Sequence, residues 1–557
     1  MNTGATRHPG TFQKGVLPMQ LSPSAHADTF CRDNLPPMDQ WPELRFTLPD
    51  LHYPDRLNCA ETLLDATVAR LGPDRPCLRT PTETWTYGGL LRHANQAAQV
   101  LTRDFGLVPG NRVLLRGPNN PWLVAAWFGV LKAGGVAVTT MALLRARELT
   151  ALADITQPSI ALCDHRFASD LTAALPSVPT VLYGGGSGGD LVSRCETMSG
   201  QFSNVPTAAD DVAMLALTSG TTGKPKATMH FHRDLLAIQD TFGKHVLAAS
   251  PGDVFAGTPP LGFTFGLGGL IVFPFGVGAS TLLLERASPD QLTDAISDHG
   301  VTALFTAPTM YRALLTTGKT APLNALRRCV SAGEHLPAAV WDDFYKQTGV
   351  KIIDGIGSTE LLHIFIAATG DAIRAGSTGV AVPGYEAAVL GEDGTPVPAG
   401  TRGRLAVKGP TGCRYLADER QRRYVVNGWN ITGDTYIRDA DGYYWYQARS
   451  DDMIVTSGYN IAGPEVEQAL LSHPDVLEAG VVGAPDAERG TVIKAYVVLR
   501  DGVPGGPAKA AELQAFTKQA IAPYKYPRAV EFLDALPRTT TGKIQRYRLR
   551  QLAAGEQ

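Results

Sequence analysis

Short apolar runs alternate with amphipathic segments along much of the chain. Residues 112–116 (RVLLR) predict a strand, residues 121–134 predict an amphipathic helix, and residues 136–138 predict the next strand. The same order returns as a predicted helix at 287–299 and a predicted strand at 303–305. Strands that alternate with helices assemble into parallel sheets of βαβ units. The pattern therefore predicts an α/β fold.

The pattern changes at about Thr378, where short apolar segments are separated by Gly/Asp turns. Residues 378–448 accordingly predict a small β-barrel or antiparallel sheet. Farther along, a helix at 465–472 and strands at 476–482 and 496–499 predict a compact α+β unit.

We place the main domain boundary between these two regions, at residues 449–452. It divides the chain into an N-terminal domain, residues 1–449, and a C-terminal domain, residues 450–557. Residues 1–45 are rich in Pro, Ser and Asp, and we expect them to form an extended arm.

The longest apolar stretch runs from Leu267 to Leu284 and is interrupted by four glycines and Pro274. A membrane-spanning helix needs about 20 predominantly apolar residues. The interruptions favour a buried strand–turn–strand over a membrane span.

Composition limits the class of protein without identifying it. The 557 residues exceed the ~250–300 at which a single hydrophobic core stops growing, so several domains are expected. A net charge of -3 gives no electrostatic reason to expect a nucleic acid or an anionic membrane as partner. The seven cysteines form no C-x-x-C pair, which is typical of a reducing compartment and argues against a zinc site. The N-terminus lacks an apolar signal region, so we expect a cytoplasmic protein.

Residues 184–189 satisfy G-x-G-x-x-G and follow a predicted strand at 180–183, as in a dinucleotide-binding site. Asp210 lies downstream at a plausible distance for an acid that binds ribose. That acid should close the second strand, whereas Asp210 opens a strand at 212–217. A surface loop is therefore the better interpretation.

A second glycine-rich segment, Thr218 to Lys226 (TSGTTGKPK), directly follows the strand at 212–217. It is not a Walker A loop, because only two residues separate Gly220 from Gly223 and Pro225 replaces the Ser or Thr. Its glycines, hydroxyls and lysines nevertheless suit phosphate. Composition alone allows a solvated turn equally well.

This loop is the first of six motifs that follow one another in the order typical of one family. The others are Ser331–Glu334 (SAGE) with Gly355–Glu360 (GIGSTE), Thr432–Asp434 (TGD), Arg449–Ile454 (RSDDMI) with Ser457–Gly458, Pro464–Glu467 (PEVE), and Pro537–Lys543 (PRTTTGK). The chain thereby resembles the adenylate-forming superfamily of acyl-CoA synthetases, peptide-synthetase adenylation domains and firefly-type luciferases. The resemblance implies a large N-terminal domain of two βαβ-type sheets plus a small β-barrel, and a small mobile α+β C-terminal domain.

The resemblance also implies a role for each motif residue. Lys543, Thr359 and Glu360 would be catalytic, with Glu360 holding Mg²⁺ against the ATP phosphates. Asp434 would accept hydrogen bonds from the ribose hydroxyls. The implied ATP- and AMP-binding residues are Thr218, Ser219, Gly220, Thr221, Thr222, Gly223, Lys224, Gly333, Glu334, Asp354, Gly355, Ile356, Gly357, Thr359, Asp434, Arg449 and Lys543.

Enzymes of this superfamily carry out two half-reactions at one site. A carboxylate and ATP first give an acyl-adenylate and pyrophosphate, and a thiol then takes the acyl group. The resemblance implies that the C-terminal domain rotates between the two steps about a hinge at Asp451. Ser457, Gly458 and Tyr459 would then lie beside the pantetheine arm of coenzyme A.

The segment from Pro259 to Gly268 (PPLGFTFGLG) contains no acid that could pair with the ammonium of an α-amino acid. It resembles aryl-CoA ligases of the benzoate and 2-aminobenzoate (anthranilate) type. That resemblance implies an acyl pocket lined by Phe263, Thr264, Phe265, Gly357, His363 and Ile364. His363 is open to another interpretation, a core histidine whose ring nitrogens are satisfied.

The predicted reaction is the ATP-dependent formation of an aryl-adenylate and then an aryl-CoA thioester, with 2-aminobenzoate as the expected acid. Benzoate is the second candidate and a hydroxybenzoate the third. The sequence shows no attached carrier domain, which favours free coenzyme A. A stand-alone enzyme that loads aryl acids onto a separate carrier protein is the alternative. A catalytically silent binding protein is disfavoured because Glu360, Asp434 and Lys543 are all present, and nothing points to a luciferase-like oxidase.

Overall fold

The computed structural model describes residues 20–186, 188–219, 225–449, 452–456, 459–486, 490–521, 525–539 and 542–555. The mixed α/β fold has a large N-terminal part and a smaller C-terminal part, as predicted. In the described part of the chain, no helix has the length and apolar character needed to cross a membrane.

One six-stranded sheet contains the first predicted strand–helix–strand unit. The strand order places five parallel strands beside one antiparallel edge strand. In that order the strands are Thr180–Tyr183, Ile160–Asp164, Arg112–Gly117, Val136–Met141, Val212–Ser219 and Pro225–Phe231. The predicted strands at 112–116, 136–138, 180–183 and 212–217 are confirmed.

The helix predicted at 121–134 exists as Pro121–Lys132, but the prediction that it is amphipathic was wrong. Nearly all of its residues are buried, because it packs between the helix Tyr87–Arg103 and the sheet. Its Lys132 is fully buried and pairs with Asp65, with 2.6 Å between the ammonium and a carboxylate oxygen. A helix buried on all sides carries little periodic signal in its sequence.

A nine-stranded sheet forms the second layer, with six parallel strands in its centre and antiparallel strands at its edges. In spatial order its strands are Val380–Ala381, Ile364–Ala367, Ile352–Gly357, Arg328–Ser331, Ala303–Thr306, Val254–Gly257, Ser280–Leu282, Pro76–Arg79 and Thr84–Thr86. The predicted helix and strand at 287–299 and 303–305 are confirmed as Pro289–His299 and Ala303–Thr306.

The strand–turn–strand predicted for 267–284 was wrong. The chain is helical from Thr264 to Val277, and only Ser280–Leu282 is a strand. The glycines allow close packing of this helix rather than turns. A Cβ on Gly266 would lie 2.2 Å from the carbonyl oxygen of Pro260, and one on Gly269 would lie 2.6 Å from the ring of Phe305.

The helices surround these sheets and cover the smaller ones. The longer α-helices are Tyr87–Arg103, Pro121–Lys132, Ala146–Thr156, Pro289–His299, Pro308–Thr316, Ala338–Thr348, Gly463–Leu471, Pro507–Ala520 and Arg546–Ala554. The shorter helical segments are Phe30–Asp33, Met38–Gln40, Pro49–Leu51, Glu61–Asp65, Ala66–Leu71, His165–Phe167, Ala168–Ala174, Leu191–Glu196, His232–Ile238, Gln239–Leu247, Thr264–Leu267, Gly268–Val272, Phe273–Val277, Ala321–Ala325, Thr359–Leu361, Gly370–Ala372 and Gln421–Tyr424.

Five antiparallel strands follow the nine-stranded sheet along the chain. They are Glu386–Leu390, Arg402–Lys408, Val425–Val426, Trp429–Arg438 and Tyr444–Arg449. The C-terminal part combines the hairpin Met453–Thr456 and Tyr459–Ala462 with the sheet Val476–Asp486, Gly490–Leu499 and Ala529–Phe532. The helix and strands predicted at 465–472, 476–482 and 496–499 are confirmed within Gly463–Leu471, Val476–Asp486 and Gly490–Leu499.

Candidate active site

A cavity of about 360 Å³ lies where the nine-stranded sheet, the antiparallel sheet and the C-terminal part meet. Much of its wall consists of residues that the motifs predict. These are Gly333, Glu334, Asp354, Gly355, Ile356, Gly357, Asp434, Arg449 and Lys543. The structure thus brings together side chains that are more than two hundred positions apart in sequence.

Parallel strands deliver several of these residues to one edge of the sheet. Gly357 lies at the carboxyl end of Ile352–Gly357, and Gly333 follows the carboxyl end of Arg328–Ser331. Asp354 pairs with Ser331 at that end of the neighbouring strand. In open α/β sheets ligands bind outside this edge. Gly333 has a φ of +92°, and a Cβ there would lie 3.7 Å from Cε of Lys543, so glycine is the residue that suits this position.

Lys543 reaches the cavity from the C-terminal part, where it pairs with Thr539. Its backbone N–H donates to the Thr539 hydroxyl at 3.1 Å, and its carbonyl accepts from the Thr539 N–H at 2.7 Å. The side chain stays accessible through the cavity, yet the surrounding protein lowers the pKa of its ammonium by desolvation. The carboxylates of Glu334, Asp434 and Glu360 oppose that shift. The lysine therefore lies in a site with several acidic groups.

Glu360 lies in the short helix Thr359–Leu361 and is buried. Its Oε1 lies 2.8 Å from the ammonium of Lys226 and accepts a hydrogen bond of 2.5 Å from the Tyr415 hydroxyl. Burial acts to raise the pKa of Glu360, but the charge of Lys226 and the two hydrogen bonds outweigh it, so the pKa is lowered. The carboxylate is therefore ionised, as a carboxylate ligand for a hard cation is.

Two hydrogen bonds stabilise the turn that carries Thr359 and Glu360. The Nε2–H of His230 donates to the Thr359 carbonyl at 2.8 Å, and the N–H of Leu361 donates to the Ser358 hydroxyl at 3.2 Å. The motifs did not predict His230, and the loop's composition pointed only generally to Lys226. Tyr415 carries no sequence signal, because its contact with Glu360 depends on how distant segments fold together.

Asp434 and Arg449 face each other on neighbouring strands, Trp429–Arg438 and Tyr444–Arg449. Their charged groups lie 3.7 Å apart. Gly433 next to Asp434 has a φ of +79°, and a Cβ there would lie 3.0 Å from a nitrogen of Arg449. The antiparallel sheet thereby supplies one anion and one cation to the same side of the cavity.

The predicted acyl-pocket residues adjoin the cavity through Gly357. A Cβ on Gly357 would lie 2.7 Å from the backbone oxygen of His363. Phe263 precedes the helix that begins at Thr264, and Ile364 is buried and pairs with Gly357 in the sheet.

His363 is buried within what we term the aromatic cluster, which the sequence did not predict as a group. Its members are Phe242, Phe265, Phe273 and Phe305, with ring centroids 5.5, 5.7, 4.6 and 6.5 Å from the imidazole. Desolvation lowers the pKa of His363 to about 3, although the backbone of Phe265 opposes the shift, so the ring is neutral. The imidazole is thus buried among aromatic rings, with the backbone of Phe265 as a polar neighbour. Its contact with the acid stays a prediction.

Several predicted residues lie outside the described residues. They are Gly220, Thr221, Thr222, Gly223, Lys224, Asp451, Ser457 and Gly458. Ser219 and Tyr459 belong to described strands, but their side chains do not belong to the described part. Thr218 is the last but one residue of the strand Val212–Ser219 and pairs across the sheet with Lys226, whose ammonium lies 2.8 Å from the Glu360 carboxylate.

Comparisons with known proteins match both parts of the chain. The AMP-binding enzyme family matches residues 64–415, and the AMP-binding enzyme C-terminal domain matches residues 465–543. A benzoate–CoA ligase of Thauera aromatica is 35% identical over 90% of this chain and 98% of that enzyme.

Solved structures agree with this match. An anthranilate–CoA ligase in complex with anthranoyl-AMP has a TM-score of 0.86 at 33% identity, over 91% of this chain and 99% of that chain. A benzoate CoA ligase from Burkholderia xenovorans LB400 has a TM-score of 0.81 at 33% identity, over 89% of this chain and 100% of that chain.

The family match covers more than half of the chain, and nine of the predicted nucleotide residues line one cavity. The chain therefore belongs to the AMP-binding enzyme family of the adenylate-forming superfamily and is an acid–thiol ligase, an acyl-CoA synthetase that uses ATP and coenzyme A.

Proposed function

We propose that the protein is an aryl-CoA ligase that converts 2-aminobenzoate or benzoate to the aryl-adenylate and then to the aryl-CoA thioester. The observation that carries the proposal is the aromatic cluster around His363, whose backbone lies against Gly357 in the wall of the cavity that contains Lys543. Flat aromatic walls with few polar groups suit an aryl ring. The relatives named above as benzoate and anthranilate ligases support the same class of acid.

In the first half-reaction, a carboxylate oxygen of the acid attacks the α-phosphorus of ATP. The P–O bond to the β-phosphate breaks, and pyrophosphate leaves. Lys543 would stabilise the negative charge that develops on the phosphoryl oxygens, and Thr359 would donate a hydrogen bond to the α-phosphate. A preorganised donor in such a site is worth roughly 3 kcal/mol of transition-state stabilisation.

Glu360 would hold Mg²⁺, since an ionised carboxylate with a neighbouring phenol oxygen fits a hard cation. The ion supplies Lewis-acid neutralisation of the ATP phosphates. Lys226, 2.8 Å from the same carboxylate oxygen, is well placed to contact a phosphate as well.

The nucleoside would occupy the remainder of the cavity. Asp434 would accept hydrogen bonds from the two ribose hydroxyls, with Arg449 beside it. Glu334 and Asp354 would face the adenine, together with the backbone of Gly333 and of Gly355 to Gly357. Thr218 to Lys224 would enclose the phosphates.

The second half-reaction would follow a rotation of the C-terminal domain, residues 450–557, relative to the N-terminal domain, residues 1–449. The N-terminal domain would include a β-barrel subdomain at about 378–448. The hinge would lie at residues 449–452 with Asp451 as the pivot. The coenzyme A thiol would then approach beside Ser457, Gly458 and Tyr459, attack the acyl carbon and release AMP.

The acid would lie between the helix that begins at Thr264 and the segment at His363. Phe265, His363, Ile364 and Gly357 would enclose the ring, with Phe263 near the carboxylate. The amino group of 2-aminobenzoate is uncharged near neutral pH, so it needs no counter-ion. It can donate a hydrogen bond to the Thr264 hydroxyl or to the neutral imidazole of His363.

A screen of acids in the ATP–pyrophosphate exchange reaction, repeated with coenzyme A to follow the thioester, tests the proposal. We expect 2-aminobenzoate and benzoate to be turned over and straight-chain fatty acids to be poor substrates. Acetate, a long-chain fatty acid or an α-amino acid as the best substrate would contradict the aryl assignment.

A further inference from the structure

One carboxylate joins two arginines from opposite parts of the chain near Lys543. Arg312, on the helix Pro308–Thr316, donates from Nη2 to Glu478 at 3.1 Å. Arg538, near the C-terminus, donates from Nη2 to the other carboxylate oxygen of Glu478 at 2.9 Å. Arg312 also donates to the carbonyl of Leu477. The three charged side chains are only 22–25% exposed, so solvent screens them less than surface pairs.

The same Arg538 also holds the turn that presents Lys543. Its Nη1 donates to the carbonyl of Gly542, the residue before Lys543, at 2.5 Å. Its guanidinium lies 3.9 Å from the Glu334 carboxylate in the wall of the cavity. A planar guanidinium can satisfy acceptors in two directions at once, which an ammonium on a flexible stem does less well. Arg538 therefore links the peptide next to the lysine to both parts of the molecule.

We propose that Arg312, Glu478 and Arg538 form a latch in which Arg538 is a positioning residue that holds Lys543 in the site for adenylation. The inference rests on the proposed two-step reaction. It adds Arg312 and Glu478, which lie outside the motifs, and gives a role to Arg538 within the motif Pro537–Lys543. Closure of the C-terminal part onto Arg312 and placement of the lysine are then one event, because both depend on Glu478.

Substitutions of Arg312 and Glu478 should differ in their effects, because one carboxylate separates two positive charges. Removing the carboxylate of Glu478 leaves two guanidinium groups close together in a partly buried space, which repel each other. Removing Arg312 as well relieves part of that repulsion. Loss of Glu478 should therefore be more damaging than loss of Arg312, and the double substitution should be no worse than loss of Glu478 alone.

The latch should act on one half-reaction. Because Lys543 is used in the adenylation transition state, a displaced lysine lowers kcat with little change in the KM for ATP. Transfer of the acyl group from a presynthesised aryl-adenylate to coenzyme A does not need the lysine. A substitution that merely destabilised the protein would lower both half-reactions together.

The test compares Arg312→Gln, Glu478→Gln, the double substitution, Arg538→Lys and Arg538→Ala in the full-length chain. Lys509→Gln is the matched control, since this lysine pairs with Asp475 and Glu512 within the C-terminal part. Each variant is measured by pyrophosphate exchange, by thioester formation from the presynthesised adenylate, and by Tm.

We expect Glu478→Gln to lower the kcat of adenylation about 10-fold or more, and Arg312→Gln to lower it less. The kcat of adenylation of Arg538→Lys should lie between those of the wild type and Arg538→Ala. The rate of thioester formation from the presynthesised adenylate should stay within about twofold of the wild-type rate in every variant. Equal losses in both half-reactions, unchanged adenylation, or additive losses in the double variant would overturn the latch. A wild-type enzyme inactive in pyrophosphate exchange with every acid would overturn the proposed function and the latch together, whereas an active wild type with unaffected variants would overturn the latch alone.

Discussion

The Glu360 carboxylate is kept ionised in the interior by two partners that are remote in sequence, Lys226 and Tyr415. Its pKa is lowered although burial alone would raise it. His363 shows the opposite balance, since desolvation takes its pKa to about 3 and leaves a neutral ring. The ionised Glu360 is compatible with the proposed cation, and the neutral His363 with the proposed uncharged substituent.

The preference for 2-aminobenzoate should depend on Thr264. One well-placed hydrogen bond is worth roughly 0.5–1.5 kcal/mol, so the preference in kcat/KM over benzoate should be about 10-fold. Thr264→Ala should narrow this gap without harming benzoate, whereas Thr264→Ser keeps the hydroxyl and should keep the gap. Steady-state kinetics with both acids provides the measurement. An unchanged ratio of kcat/KM for 2-aminobenzoate over benzoate in Thr264→Ala would show that the Thr264 hydroxyl does not cause the preference.

The helical stretch from Thr264 to Val277 positions the candidate acyl pocket. Its glycines lie where other groups approach closely: Gly266 against the carbonyl of Pro260, Gly268 against His363 and Gly269 against Phe305. A Cβ on Gly268 would lie 2.3 Å from the imidazole. These contacts let a single helix pack against both the preceding loop and the aromatic cluster.

Gly266→Ala should therefore destabilise the fold. The new methyl group would lie 2.2 Å from a backbone oxygen that cannot move aside cheaply. We expect the free energy of unfolding to fall by about 1–3 kcal/mol. Gly252→Ala is the control, because its Cβ would find its nearest neighbour 3.9 Å away. Denaturant unfolding of both variants gives the comparison, and equal stability would contradict the packing argument.

These elements show where the sequence is informative and where it is not. Strands such as Arg112–Gly117 and Ala303–Thr306 follow from short apolar runs beside helical patterns. The stretch from Thr264 to Val277 was mispredicted because glycines that serve close packing resemble turn residues. The motifs pointed to Lys543 and Asp434, whereas Tyr415 and His230 came from long-range contacts that no local pattern encodes. Arg538 lies within the motif Pro537–Lys543, but its contact with Glu478 depends on how distant segments fold together.

The cavity lies between the N-terminal and C-terminal parts, so relative movement of the two parts would change the site. Arg312 and Glu478 connect them in this structure, and Lys543 lines the cavity from the C-terminal side. Residues 450–451 connect the two parts and lie outside the described residues. The hinge at Asp451 therefore stays a prediction.

Asp451→Pro tests that hinge. Proline fixes φ at about −65°, so it should hold the enzyme in one arrangement. We expect thioester formation to fall far more than adenylation, because only the second step needs the rotation. Asp451→Ala, which leaves φ free, should retain overall turnover. Wild-type overall turnover by Asp451→Pro would show that the pivot is a residue other than Asp451.

The most direct test of the two-step account is Lys543→Ala, assayed separately in the two half-reactions with Lys509→Ala as control. We predict that pyrophosphate exchange with the preferred aryl acid falls by about 100-fold or more, because a preorganised cation is lost from the transition state. Formation of aryl-CoA from presynthesised aryl-adenylate should stay near the wild-type rate. An equal loss in both half-reactions would contradict the account.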